Sequence, residues 1–133
     1  MIAYTMVGTT DLPASIQFYD ALFRRMGLDL CWQDEQSASW GKKHDPMYPR
    51  FVTGYPYDGN PAGLGNGAMT AFTFEKPEDI DGLYQLALSN GANDEGEPGL
   101  RTQHGEGFYA AYLRDPDGNK LAFVCYGNNG TQA

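Results

Sequence analysis

Tyr109-Ala110-Ala111-Tyr112-Leu113-Arg114-Asp115-Pro116-Asp117-Gly118-Asn119-Lys120-Leu121-Ala122-Phe123-Val124-Cys125 reads as a β-hairpin. Two runs rich in aromatic and aliphatic residues flank a tight turn. Pro116 presets φ for the turn, Asp115 and Asp117 are placed to bond its backbone, and Gly118 supplies a positive φ. Taken alone, Asp-Pro-Asp-Gly is ordinary hairpin punctuation. It carries more weight here because a strand–helix pattern occurs twice before it.

The nearer occurrence begins at Ala68 to Phe74, a strand. Pro77 opens a helix with Glu78 and Asp79 in its first turn, where negative charge suits the helix dipole. Ile80, Leu83, Tyr84, Ala87 and Leu88 form its apolar face, Gly82 weakens it, and Asn90-Gly91 ends it. A short strand is expected around Ala92 to Glu95, then a polar loop from Gly96 to Gly107, then the hairpin. The farther occurrence starts with a strand from Ile2 to Thr9. Asp11 is the expected helix cap, with Pro13 in the first turn. Leu12, Ile16, Tyr19, Leu22, Phe23 and Met26 recur at helical steps, and Gly27 is the stop. Strands follow at Leu28 to Gln33, Ser37 to Lys42 and Arg50 to Gly54.

A shift of 64 residues, the difference between 13 and 77, lays Pro13 on Pro77, Ile16 on Ile80, Leu22 on Leu86 and Gly27 on Gly91. The expected fold class is therefore α+β: tandem βαβββ modules whose curled mixed sheets form an open cleft, with helices on the outer face. Module one covers about 1–56, a Gly/Pro-rich linker about 57–67, and module two about 68–127, all within one domain.

With 133 residues, 41% of them hydrophobic, the chain is long enough for a real core. Its formal net charge of −8 repels phosphate backbones and anionic membrane surfaces, so neither nucleic acid nor a membrane is an expected partner. The N-terminus lacks a basic region followed by a long apolar run, and no apolar stretch approaches the length of a membrane span. A cytoplasmic protein is expected. Cys31 and Cys125 both sit in apolar runs and read as buried thiols, with no CxxC to suggest a metal or redox site. Gly63-Leu64-Gly65-Asn66-Gly67 is followed by a strand, so it lacks the helix N-terminus that a phosphate needs. There is no GxSxG nucleophile motif.

Several segments resemble the vicinal oxygen chelate superfamily, the group of glyoxalase I, bleomycin-resistance proteins and extradiol dioxygenases. Val7-Gly8-Thr9-Thr10-Asp11-Leu12-Pro13-Ala14-Ser15-Ile16-Gln17-Phe18-Tyr19 is similar to the family's first strand and helix. Asn66-Gly67-Ala68-Met69-Thr70-Ala71-Phe72 resembles the start of its second module, and Gly107 to Asn119 its terminal hairpin. Tyr57-Asp58-Gly59-Asn60-Pro61-Ala62 looks like the linker of a glyoxalase-like subgroup. The resemblance implies a homodimer whose cleft is built within one chain or across two. It also implies, in the family's enzymes, a divalent metal held by His, Glu or Gln on equivalent strands.

Carried over position by position, those ligands fall on Tyr4, Met69 and Ala122, with a fourth near Phe51 to Thr53. Met and Ala offer nothing to a hard divalent ion, and one Tyr does not replace three missing ligands. The expectation is no metal and no cofactor. Met6 shares the face of Tyr4 by strand alternation. Tyr4, Met6, Trp40, Phe51, Met69 and Ala122 are expected to line an apolar cleft that takes a flat, partly apolar small molecule; the alternative is that they simply fill the space. His104, just before the hairpin, is the candidate for gripping a polar or anionic ligand, whereas His44 reads as a solvated loop residue. A second hypothesis is a lyase- or isomerase-like enzyme using His104, Glu106 or Tyr109 for acid–base work.

Overall fold

The computed structural model describes residues 1–127. The chain divides into two compact units, Met1–Asn66 and a second one starting at Gly67.

In the first unit, strand β1 (Tyr4–Gly8) leads to helix α1 (Leu12–Arg25), then to β2 (Asp29–Gln33), β3 (Ser37–Gly41) and β4 (Arg50–Gly54). The helix begins where Asp11 Oδ1 accepts the Ala14 N–H at 3.2 Å, with proline in its first turn. It ends at Gly27, whose φ of +79° lets Leu28 N–H return to the Phe23 carbonyl. The sheet order is β1-β4-β3-β2, with β1 parallel to β4 and the other pairs antiparallel. Leu12, Phe18, Tyr19, Leu22 and Phe23 are buried against one side of the sheet. Tyr19 meets Phe51 at 4.7 Å and Phe23 meets Trp40 at 5.4 Å between ring centroids. The polar atoms in this layer are paired: Trp40 Nε1 donates to Asp20 Oδ1 at 3.1 Å, and the Ser15 and Thr53 hydroxyls lie 2.7 Å apart.

The second unit repeats the order as β5 (Thr70–Thr73), α2 (Pro77–Ser89), β6 (Asn93–Leu100), β7 (Tyr109–Arg114) and β8 (Lys120–Cys125), with a 3-10 turn at Thr102–His104. Its sheet order, β5-β8-β7-β6, and its one parallel pair, β5 with β8, match the first unit element for element. Ile80, Leu83, Tyr84 and Ala87 of α2 are buried, as are Leu113, Leu121 and Phe123 of the sheet. The hairpin turn forms as its sequence dictates. Asp115, 1% exposed, accepts the N–H groups of Asp117 and Asn119 and the Asn119 side-chain amide at 2.8–3.0 Å. Gly118 takes a φ of +95°.

The α+β class and the two βαβββ repeats are thus present, each sheet mixed and open. Three local expectations need correction. The strands expected at Ile2 to Thr9 and Ala68 to Phe74 begin two residues later and end one residue earlier. β6 does not stop at Glu95 but runs on to Leu100, because its pairing with β7 survives two irregularities, at Gly96 and Gly99. Cys31, at the irregularity between Leu30 and Trp32, is only half-buried, unlike Cys125. Among the described residues no helix is long and apolar enough to cross a membrane.

Candidate functional site

Strand alternation gives each sheet two faces. In the first unit, α1 covers the face of Thr53, Phe51 and Trp40. On the other face Tyr4 lies opposite Arg50, Met6 opposite Val52, and Gly8 opposite Gly54; Val52 in turn faces Ser39, and Ser39 faces Trp32. Tyr4 is 65%, Met6 48% and Trp32 58% exposed. Met6 reaches across to β4: a Cβ on Gly54 would meet its terminal methyl at 3.1 Å. This open face carries Tyr4, Met6, Val52 and Trp32 beside the polar Arg50 and Ser39, and has no helix over it within its own unit.

Trp40 and Phe51 are not on it. Both are buried under α1 among Tyr19 and Phe23, so the ligand-lining role expected of them is withdrawn. Sequence alone did not set their facing, because β3 and β4 are short and their neighbours carry no clear polar–apolar alternation. The register now does so: Val52, not Phe51 or Thr53, stands beside Met6.

In the second unit Ala71 and Tyr112 both lie opposite Ala122, and Gly96 lies opposite Tyr112. Met69, two residues ahead of Ala71 and half exposed, extends the same row. Ala122, Ala110 and Val124 form a buried apolar floor against which Phe108 and Tyr112 pack. His104 is exposed and sets its ring edge-on to Phe108 at 5.8 Å. The structure therefore brings Ala122 together with two aromatic residues that the sequence reading did not single out. Counting across the hairpin from Ala122 would have found Tyr112.

The residues at the metal positions do not fit a divalent cation. They are a phenol at Tyr4, a thioether at Met69, a methyl at Ala122 and, at the fourth position, the isopropyl of Val52. Only the phenol is an oxygen donor, against the three or more that such an ion requires. Among the described residues no three His, Cys, Asp or Glu side chains converge. His44 is an exposed loop residue.

The acid–base candidates are also altered. Tyr109 donates to Asp81 Oδ1 at 2.5 Å; that bond first, and burial second, push its pKa up to about 12. The phenol stays protonated at neutral pH and is committed to a carboxylate on α2. Tyr84 makes the matching contact with Asp94 Oδ1 at 2.7 Å and is also pushed to about 12, by burial first. Glu106 is exposed. A concavity of about 420 Å³ in the first unit is lined by Thr9, Thr10, Gln36, Tyr55 and the Gly59–Pro61 turn. There the Tyr55 hydroxyl accepts the Leu12 N–H at 3.1 Å and ties the end of β4 to the start of α1.

Comparison with known proteins adds to this geometry. Residues 1–123 match the Glyoxalase/Bleomycin resistance protein/Dioxygenase superfamily. Among solved structures, the chain is similar to a glyoxalase/bleomycin resistance protein from Albidiferax ferrireducens T118. The identity is 34% and the TM-score 0.81, over 94% of this chain and 98% of that one. A glyoxalase/bleomycin resistance protein/dioxygenase family enzyme from Burkholderia phytofirmans PsJN shares the fold at 19% identity and a TM-score of 0.71, covering 92% and 96%. A glyoxalase-related enzyme from Fulvimarina pelagi does so at 18% and 0.72, covering 94% and 87%. No curated protein matches.

Proposed function

The chain belongs to the Glyoxalase/Bleomycin resistance protein/Dioxygenase superfamily, and from that premise we propose that it binds a small, flat, partly apolar organic molecule without a metal. The observation that carries the reading is the exchange of donor atoms for apolar surface at the positions where the resemblance puts metal ligands. Tyr4 and Met69 are half exposed or more, and Ala122 lies in a floor walled by Phe108 and Tyr112. Aromatic rings and thioethers give broad, adaptable contact to a planar apolar body. We further propose that the protein works as a homodimer. The lyase- or isomerase-like alternative is left with His104 and Glu106, both exposed, since Tyr109 is held by Asp81.

The test is thermal unfolding of EDTA-stripped protein against a panel of planar aromatics, with metal content measured on the protein as purified. A ligand at 100 times its dissociation constant adds about 2.7 kcal/mol of stability, a rise of several degrees. The reading predicts such a rise in the absence of metal. One equivalent of tightly held divalent metal, with ligand shifts only when it is present, contradicts it.

A further inference from the structure

The chain is strongly acidic, yet three of its nine lysines and arginines lie on the open face of the second sheet. Arg114 faces Lys120 across the hairpin, and both share the face of Tyr112 and Ala122 by alternation. Arg101 reaches that face from beyond the end of β6. Its Cζ lies 5.6 Å from the Tyr112 ring centroid, and Lys120 Nζ lies 5.7 Å from the same centroid. Arg114 is paired with Glu95 at 2.9 Å, whereas neither Arg101 nor Lys120 makes an ion pair among the described residues.

The position of Arg101 is built into β6. Its Nη2 donates to the Glu97 carbonyl at 2.6 Å. A Cβ at Gly99 would stand 3.1 Å from Nη1, and one at Gly96 would stand 3.2 Å from Nη2 and 3.1 Å from the Tyr112 ring. The two glycines that let β6 continue past its expected end also clear the space in which the guanidinium lies. The single side-chain hydrogen bond leaves further N–H groups of the planar fork to serve a ligand.

We propose that Arg101 and Lys120, over the ring of Tyr112, form the anion-recognising end of a site for planar aromatic carboxylates. The inference rests on the small-molecule reading above and narrows its ligand class. The half-buried ring of Phe108, packed on the floor of Ala110, Ala122 and Val124, provides a surface for the aromatic body. The carboxylate accepts from the Arg101 fork, a charge-assisted bond stronger than a neutral one, with Lys120 as the second cation. In a chain of net charge −8 an anion is repelled at long range, so recognition depends on this local pair and weakens with salt.

Calorimetric titrations of the full chain with 2-naphthoate and with its neutral isostere 2-naphthamide test this. The acid should bind about tenfold more tightly than the amide at low salt, with the preference shrinking as salt rises. Arg101→Gln should bring the two affinities together by weakening the acid far more than the amide. Lys120→Gln should do so in part, and Arg101→Lys should restore part of the preference. Equal binding of acid and amide to the unaltered protein, or a preference that survives both Gln variants, overturns the carboxylate assignment and leaves the small-molecule reading intact. Binding of neither compound overturns the small-molecule reading, and the carboxylate assignment with it.

Discussion

The two modules share strand order, helix position and the single parallel pair, but they fill that frame with different chemistry. Beneath α1 the first module packs five rings, Phe18, Tyr19, Phe23, Trp40 and Phe51, with centroids 4.7–6.0 Å apart in the contacting pairs. Beneath α2 the second relies on Ile80, Leu83, Ala87, Leu113 and Leu121, with Phe72 and Phe74 placed around Phe123. The open faces diverge further: Tyr4, Met6, Val52 and Trp32 on one, and Tyr112 flanked by cations on the other. The plan fixes which face the helix covers. It leaves the composition of both faces free, so the open face can change its chemistry without changing the fold.

The contrast between covered and open faces gives the largest expected effect. Trp40→Ala should destabilise by about 3–5 kcal/mol, since it empties the centre of the ring cluster and frees Asp20 Oδ1. Tyr4→Ala or Met6→Ala should stay within about 1 kcal/mol, because 65% of Tyr4 and 48% of Met6 is already in water. Urea unfolding followed by circular dichroism separates these outcomes. Similar losses for Trp40 and Tyr4 would break the assignment of faces.

The next effect separates the turns. Asp115→Ala removes a buried carboxylate that accepts three hydrogen bonds and should cost about 2–3 kcal/mol. Asp11→Ala removes one exposed cap bond and should cost about 1 kcal/mol. Equal losses would mean that the second module does not depend on its hairpin more than the first depends on its cap.

A third contrast lies in titration. Tyr84 and Tyr109, both in the second module, have pKa values raised from 10 to about 12 in the folded chain. A raised folded value means that the native state holds the proton more tightly. The stability this confers is complete below pH 10 and is lost as pH climbs from 10 to 12. Phenolate absorbance should therefore include late titrations from these two tyrosines, and Tyr109→Phe and Tyr84→Phe should each remove one. A late titration left undiminished by either substitution would contradict the Asp81 and Asp94 pairings.

The smallest effect concerns the helix starts. Asp11 caps α1, but Lys76 at the N-cap of α2 makes no side-chain bond. Lys76→Asp should add about 0.5–1 kcal/mol by supplying the missing cap and favouring the helix dipole. A loss would show that the α2 start is held by contacts other than its cap.

Turns and periods made most of the fold legible. Asp11-Leu12-Pro13 and Gly27 bracket α1, Pro77 and Asn90-Gly91 bracket α2, and Asp115 to Gly118 form the expected turn, because each of these signals acts through its own backbone. The site was legible only in part. Tyr4 followed from the family resemblance, and Met6 from alternation with it along one strand. The facing of Trp40 and Phe51 did not, because it depends on cross-strand register and on which side α1 settles. Arg101 was hidden further: its place over Tyr112 depends on Gly96 and Gly99 extending a strand where the sequence reads as a polar loop.

If an open sheet face holds a planar molecule without a metal, as proposed, its methionine methyls should sense the ligand. Methyl NMR of protein carrying ¹³C-labelled methionine methyls, titrated with 2-naphthoate in EDTA, tests it most directly. Five methionines report: Met6 and Met69 on the open faces, Met26 at the end of α1, and exposed Met1 and Met47 outside the strands. Ring-current shifts are expected at Met6 or Met69, saturating with ligand and the same in EDTA as with Zn²⁺ in excess of the EDTA, with Met26 and Met47 still. Shifts that need metal, or that fall on Met47 and spare both open-face methyls, would contradict it.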